Sequence, residues 1–293
     1  MSKFTPGLVN VLFSIFLVIT AGCGNRTSAS NEGSPTTVQE TDSVEIVADT
    51  IEADPMAAYP LGVRALLEAY PDEITGYQDG NLVFADGTLL QYDDGKEKDF
   101  EFMLDNSTPK DMFYVPYPDS LGTPEYLADA GRSRSEKLFK KMYGSSSGEV
   151  SSKLVSVDWF GGKVRFTPVN GAAQQLQKVY EELKAHPDLR KYLNSSGTFY
   201  WRTVRGAKRQ SAHSYGMAFD IGVDHSDYWL WKNPGASETK KISYANRIPH
   251  EIVRIFEKYG FIWGGAWYHF DTMHFEYRPE ILRYRDLLNQ KAQ

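Results

Sequence analysis

Apolar and polar positions along this chain change period several times, and each change marks an element. From Leu61 to Tyr70 the spacing predicts a short helix that stops before Pro71. Three Asp-Gly pairs follow, at Asp79-Gly80, Asp86-Gly87 and Asp94-Gly95. Such pairs between apolar runs signal hairpins, because both turn positions tolerate positive φ. Leu82 to Phe84 and Leu89 to Tyr92 are the strands they predict to pair, either as a small β subdomain or as an edge of the main domain. Residues 105–130, rich in Pro, Tyr and Asp, read as an irregular connector. Ser133 to Tyr143 predicts a helix ended by Gly144 and a Ser-rich loop. Val155 to Trp159 and Val164 to Phe166 predict two strands around Gly161-Gly162. Thr167-Pro168 has the form of an N-cap with Pro at the first helical position, ahead of a face made by Leu176, Val179, Tyr180 and Leu183. Two more helices are predicted at Pro249 to Tyr259 and Pro279 to Leu288. Helices mixed with short antiparallel strands, without alternating βαβ units, give an α+β class.

Period two returns from Met217 to Val223. Read as a strand, Met217, Phe219, Ile221 and Val223 face apolar packing, while Ala218, Asp220 and Gly222 face the other way. In Asp271-Thr272-Met273-His274-Phe275-Glu276-Tyr277 the residues Phe275 and Tyr277 face one side, His274 and Glu276 the other. If the two strands pair, Asp220 and His274 share a polar face. His213 lies on the approach, and Gly216 provides the turn that returns it to that face. Two imidazoles and one carboxylate, with a position left for water, suit a catalytic zinc ion, one per chain. A carboxylate beside the metal but not bound to it is the natural general base, and Asp271 fits that part. Glu276 reads as a partner that orients a ligand. Ser211, Tyr215 and Trp267 are candidates for contact with substrate. His269 reads as pocket lining or as a buried, hydrogen-bonded core histidine.

The composition narrows the setting. A formal charge of -6 and a pI near 5.6, without a basic block, argue against nucleic acid as a partner. The chain has a single cysteine, Cys23, so no disulfide forms within it. Lys3 precedes an apolar run from Leu8 to Ile19 that ends in Thr20-Ala21-Gly22-Cys23. This resembles the bacterial lipoprotein signal, with Thr20 where an aliphatic residue is usual. The resemblance implies removal of residues 1–22, lipidation at Cys23, and a secreted protein held to a membrane by its lipid on the periplasmic side or at the cell surface. Residues 23–57, rich in Ser, Thr, Asn and Glu, read as a tether. The expected division is then a β-rich region over 58–130 and a metal-bearing domain over 131–293.

The pattern Ser-x-His-x-x-Gly-x-Ala-x-Asp at Ser211 to Asp220, with Asp-x-x-His-Phe-Glu at Asp271 to Glu276, resembles the D-alanyl-D-alanine carboxypeptidase family of zinc peptidases. The likeness spans roughly Gly197 to Tyr277. It implies a hedgehog-like fold, zinc held by His213, Asp220 and His274, Asp271 as base, and Arg202 steadying an oxyanion or a substrate carboxylate, with Arg205 and Arg209 as nearby alternatives. It also implies peptidoglycan stem peptides as substrate. Removal of a terminal D-Ala is the first expectation, cleavage between L-Ala and D-Glu the second. A wall-binding module that cuts nothing is the rival from outside enzymology.

Overall fold

The computed structural model describes residues 55–292. The expected lipoprotein signal, Cys23 and all but the last three residues of the expected tether lie outside that range. Among the described residues no helix is long and apolar enough to cross a membrane.

Helix α1 (Leu61–Ala69) buries Val63, Ala65 and Leu66 and ends, as the sequence predicts, just before Pro71. It packs on the last helix, α8 (Pro279–Ala292). Tyr70 donates to Glu280, and Arg283 pairs with Glu68, so the two ends of the described chain are tied together. Strands β1 (Ile74–Gln78), β2 (Asn81–Phe84) and β3 (Leu89–Gln91) form an antiparallel sheet in sequence order. Two Asp-Gly pairs make its turns, and at the first both residues have positive φ, 49° at Asp79 and 79° at Gly80. The third pair makes no hairpin. There Asp93 accepts from the Gly95 amide, and Lys98 bridges Asp94 and Asp111. Ile74, Leu82 and Phe84 join one continuous core with Phe219 and Phe256. Packing therefore shows no break near residue 130, and the N-terminal strands are an edge of the main domain.

The connector holds more order than its composition suggests: α2 (Phe100–Asp105), capped by Asp99, and a 3-10 turn at Lys110–Phe113. Helix α3 (Glu136–Tyr143) is followed by α4 (Ser147–Lys153), which the Ser-rich reading missed. Ser146 caps α4 by accepting from the Glu149 amide. Strands β4 (Val155–Trp159) and β5 (Gly162–Phe166) pair as predicted. Helix α5 (Ala172–Leu183) begins later than Thr167-Pro168 suggests, because Asn170 and Gly171 both take left-handed φ and break the first turn. Its buried face of Leu176, Val179 and Leu183 packs against β4 and against α7 (His250–Lys258).

A four-stranded antiparallel sheet carries the chemistry. Its order is β6 (Ser195–Gly197), β7 (Ala218–Ile221), β9 (His274–Tyr277), β8 (Phe261–Trp263). Its apolar face packs Phe275 against Phe256 at 4.0 Å and Phe219 edge-on to Trp159 at 4.5 Å. Strand β7 is shorter than the alternation predicts. Left-handed Gly216 and Gly222 bracket it, and Val223 falls in a 3-10 turn (Val223–His225) and is exposed. Mixed helices and small antiparallel sheets thus make an α+β fold.

Candidate metal centre and its cleft

The pairing of β7 with β9 sets the centre. Asp220 lies directly opposite His274, and Phe219 opposite Phe275. One backbone register therefore puts the aromatic pair into the core and the ligand pair on the other face. His213 arrives from a 3-10 turn, Ala212–Tyr215, that ends at Gly216 with φ +65°. That left-handed backbone is what calls for glycine here, since the nearest atom a Cβ would meet is the movable end of the Leu154 side chain.

The His213 Nε2 to Asp220 Oδ2 distance is 3.2 Å, and His274 Nδ1 lies 2.8 Å from Asp220 Oδ1. Each imidazole is held by its other nitrogen. His213 Nδ1 is 3.0 Å from the Thr198 carbonyl oxygen, and His274 Nε2 is 2.8 Å from Glu276 Oε1. Those bonds favour the tautomers in which His213 Nε2 and, once His274 gives up a proton, His274 Nδ1 face a common point. One ligand atom from each of His213, Asp220 and His274 lies within 4.8 Å of the others. Hard and borderline donors of this kind, three in number and converging, fit a zinc ion.

The charges around the trio are tightly arranged. Burial alone would raise the Asp220 carboxyl, but the two imidazoles hold it well below the usual carboxylate range. His274 loses solvation, yet Asp220 and Glu276 push it up to about 10. Glu276, fully buried, is kept ionised against that burial by Arg134, which grips both its oxygens, and by His274. Arg278 adds a further bond at 3.2 Å. Zinc must displace a proton at His274, so its binding releases protons and weakens as pH falls.

Asp271 stands apart from the ligands. It follows the turn at Gly264, whose carbonyl accepts from the Asp271 amide at 3.0 Å. A Cβ on Gly264 would meet the Asp271 carbonyl oxygen at 2.6 Å, so this approach also needs glycine. Asp271 is half-buried, and its Oδ1, shielded from solvent, has no hydrogen-bond partner. Burial pushes the carboxyl up to about 7, with Asp220 adding to the rise and His274 opposing it.

All four residues open into one cleft of about 500 Å³. Ser211, Arg202 and Trp267 also line it. Arg202 is exposed and donates to the Thr203 carbonyl at 3.3 Å, and Arg205 lies beside it on the same loop. Trp267 is fixed by a bond from Nε1 to the Ala130 carbonyl and sits 5.6 Å from the His274 ring. Tyr215 is placed differently from the expectation of substrate contact. It is buried in an aromatic cluster with Phe139 and Tyr143, because the turn that aims His213 at the cleft aims Tyr215 into the core. His269 satisfies both of its readings, lining the cleft while its Nδ1 lies 2.6 Å from Asp129. Sequence reasoning missed Arg132 and Arg134, which enter the cleft from before α3, and Tyr228, Trp229 and Trp231, which form its aromatic rim. Their segments carry no spacing that relates them to the metal motif.

Residues 205–277 match the family model described as D-alanyl-D-alanine carboxypeptidase. The match contains His213, Asp220, Asp271, His274 and Glu276, and leaves out Arg202, Arg132 and Arg134. No curated protein and no solved structure matches the chain. The family match and the His-Asp-His group agree on a zinc peptidase.

Proposed function

We propose that this chain is a zinc-dependent peptidase that trims peptidoglycan stem peptides, removing a terminal D-alanine. The observation that carries the reading is the convergence of His213, Asp220 and His274 beside the unpartnered Asp271 carboxylate, within the matched segment. Zinc bound to the trio would acidify a water and polarise the scissile carbonyl. The chain supplies the rest. Asp271 accepts the proton of the attacking water and returns it to the leaving amine. A base must be ionised to act, and a dication nearby lowers a carboxyl, so Asp271 is set to work from neutral pH upward. Arg202, exposed and lining the cleft, would meet developing negative charge. Ser211 and Trp267 bound the space beside the ligands. Lipidation at Cys23 would hold the enzyme at a membrane, facing the wall.

Cleavage between L-Ala and D-Glu is the second reading. What favours it is the base itself, an aspartate, which resembles the endopeptidase branch of the family as well as some carboxypeptidases.

Mass spectrometry of pentapeptide muropeptides after incubation with the protein, with and without a chelator, tests the proposal. Loss of one D-Ala, abolished by chelation, supports the carboxypeptidase. Release of sugar bearing only L-Ala moves it to the endopeptidase. Intact muropeptides with zinc bound leave a wall-binding module as the better reading.

A further inference from the structure

Beside the metal trio, a second set of side chains converges on one carboxylate, that of Glu238. Its Oε2 accepts from Arg132 NH1 at 2.6 Å and lies 3.6 Å from His269 Nε2. Its Oε1 accepts from Arg132 NH2 at 2.9 Å and lies 3.5 Å from Arg209 NH2. This is a bidentate guanidinium clamp, with Arg209 NH2 and His269 Nε2 at its sides beyond direct hydrogen-bond reach.

The receptor and its occupant are built differently. Arg132, Arg209 and His269 are buried and braced from behind: Arg132 and His269 by Asp129, Arg209 by Asp105. All three line the cleft that holds His213, Asp220, His274 and Asp271. Glu238 comes from the irregular segment between α6 (Trp229–Lys232) and α7, and both its neighbours, Ser237 and Thr239, are exposed. The receptor is also incompletely satisfied with Glu238 in place. His269 Nε2 and Arg209 Nε are buried without a hydrogen-bond partner. A buried group left in that state costs free energy that a better-fitting ligand recovers.

We propose that Arg132, Arg209 and His269 form a carboxylate subsite of the cleft, and that a free carboxylate on the substrate takes the place of Glu238. The exchange swaps one carboxylate for another, so the buried charge count does not change. It gives the cleft a preference for peptides with an ionised carboxylate near the scissile bond. The identity of that peptide rests on the proposed function; the subsite itself does not.

The test is calorimetric binding of N-acetyl-D-alanine and of its amide to the zinc-loaded protein and to the Glu238→Gln variant. The acid should bind the variant about tenfold more tightly than the wild type, because the internal competitor is weakened. The amide should bind both poorly. A carboxylate that bound only at the metal would not sense Glu238. Equal affinity for acid and amide, equal affinity of wild type and variant for the acid, or no binding of either compound would overturn the subsite. A Glu238 that served only to stiffen its loop would lower the melting temperature and leave the acid-to-amide ratio unchanged, which also overturns it. Acid-selective, Glu238-sensitive binding without turnover of wall peptides would leave the subsite standing and remove the peptidase reading. Turnover without that binding would do the reverse.

Discussion

On one side of the metal trio, Glu276 is locked between Arg134, Arg278 and His274, on a central strand and wholly shielded from solvent. Glu238 is likewise held by arginines, by two bonds from Arg132 and an ion pair with Arg209, but from an irregular segment and with 23% of its side chain exposed. The two carboxylates meet similar guanidinium groups with different freedom to leave. A strand fixes a side chain through ladder bonds and packing on both faces, which suits a group that must orient a metal ligand. A loop can give up its contact at the cost of a few bonds, which suits a place that substrate must enter. Ligand geometry is thus kept on the sheet, and the proposed substrate contacts fall to the loops around it.

The largest expected effect comes from the strand side. His274→Ala removes a proposed ligand and should cost the purified protein its zinc, seen by elemental analysis, with turnover at background. Glu276→Gln acts one step further out. It should lower zinc affinity by about 10- to 100-fold, measured by competition with a chelator. The same exchange at Glu238 should leave zinc affinity unchanged, and equal losses at the two positions would erase the distinction drawn between them.

A smaller effect concerns Asp271 in the metal-free protein. Its folded-state pKa of about 7 lies above the ordinary value of 3.8. The stability contribution of such a group is fully present below the unfolded value and is lost as pH rises through the folded one. Asp271→Asn should therefore melt with the wild type near about pH 4 and at a higher temperature than the wild type near about pH 8. The smallest effect belongs to Tyr215. Its hydroxyl is buried with no partner, so Tyr215→Phe should leave the melting temperature unchanged or slightly raised, and turnover intact.

The legible part of this molecule is the part governed by short-range pattern. Alternation at Phe219 and Asp220, and at His274 and Phe275, places the ligand pair opposite each other across two strands. Gly216 signals the turn that brings in His213. Asp79-Gly80 and Asp86-Gly87 mark real hairpins, while Asp94-Gly95 does not, because no apolar strand follows it to pair. The Ser146 and Glu149 capping signal of α4 was present but hidden in a Ser-rich run. Arg132, Arg134 and Glu238 were illegible for a different reason. The two arginines reach the cleft, and Glu238 reaches Arg132, through tertiary packing from segments far from the motif, and nothing local distinguishes them from surface charges. Tyr215 shows the converse: a residue two positions from a ligand need not share its cleft when a tight turn intervenes.

The central claim, that the trio and Asp271 form a working hydrolytic centre, is tested most directly by measuring zinc content and peptide turnover together in Asp271→Asn. That variant should hold one zinc per chain, as in the wild type, with turnover reduced by on the order of 10²- to 10⁴-fold. Wild-type turnover with zinc retained would contradict it.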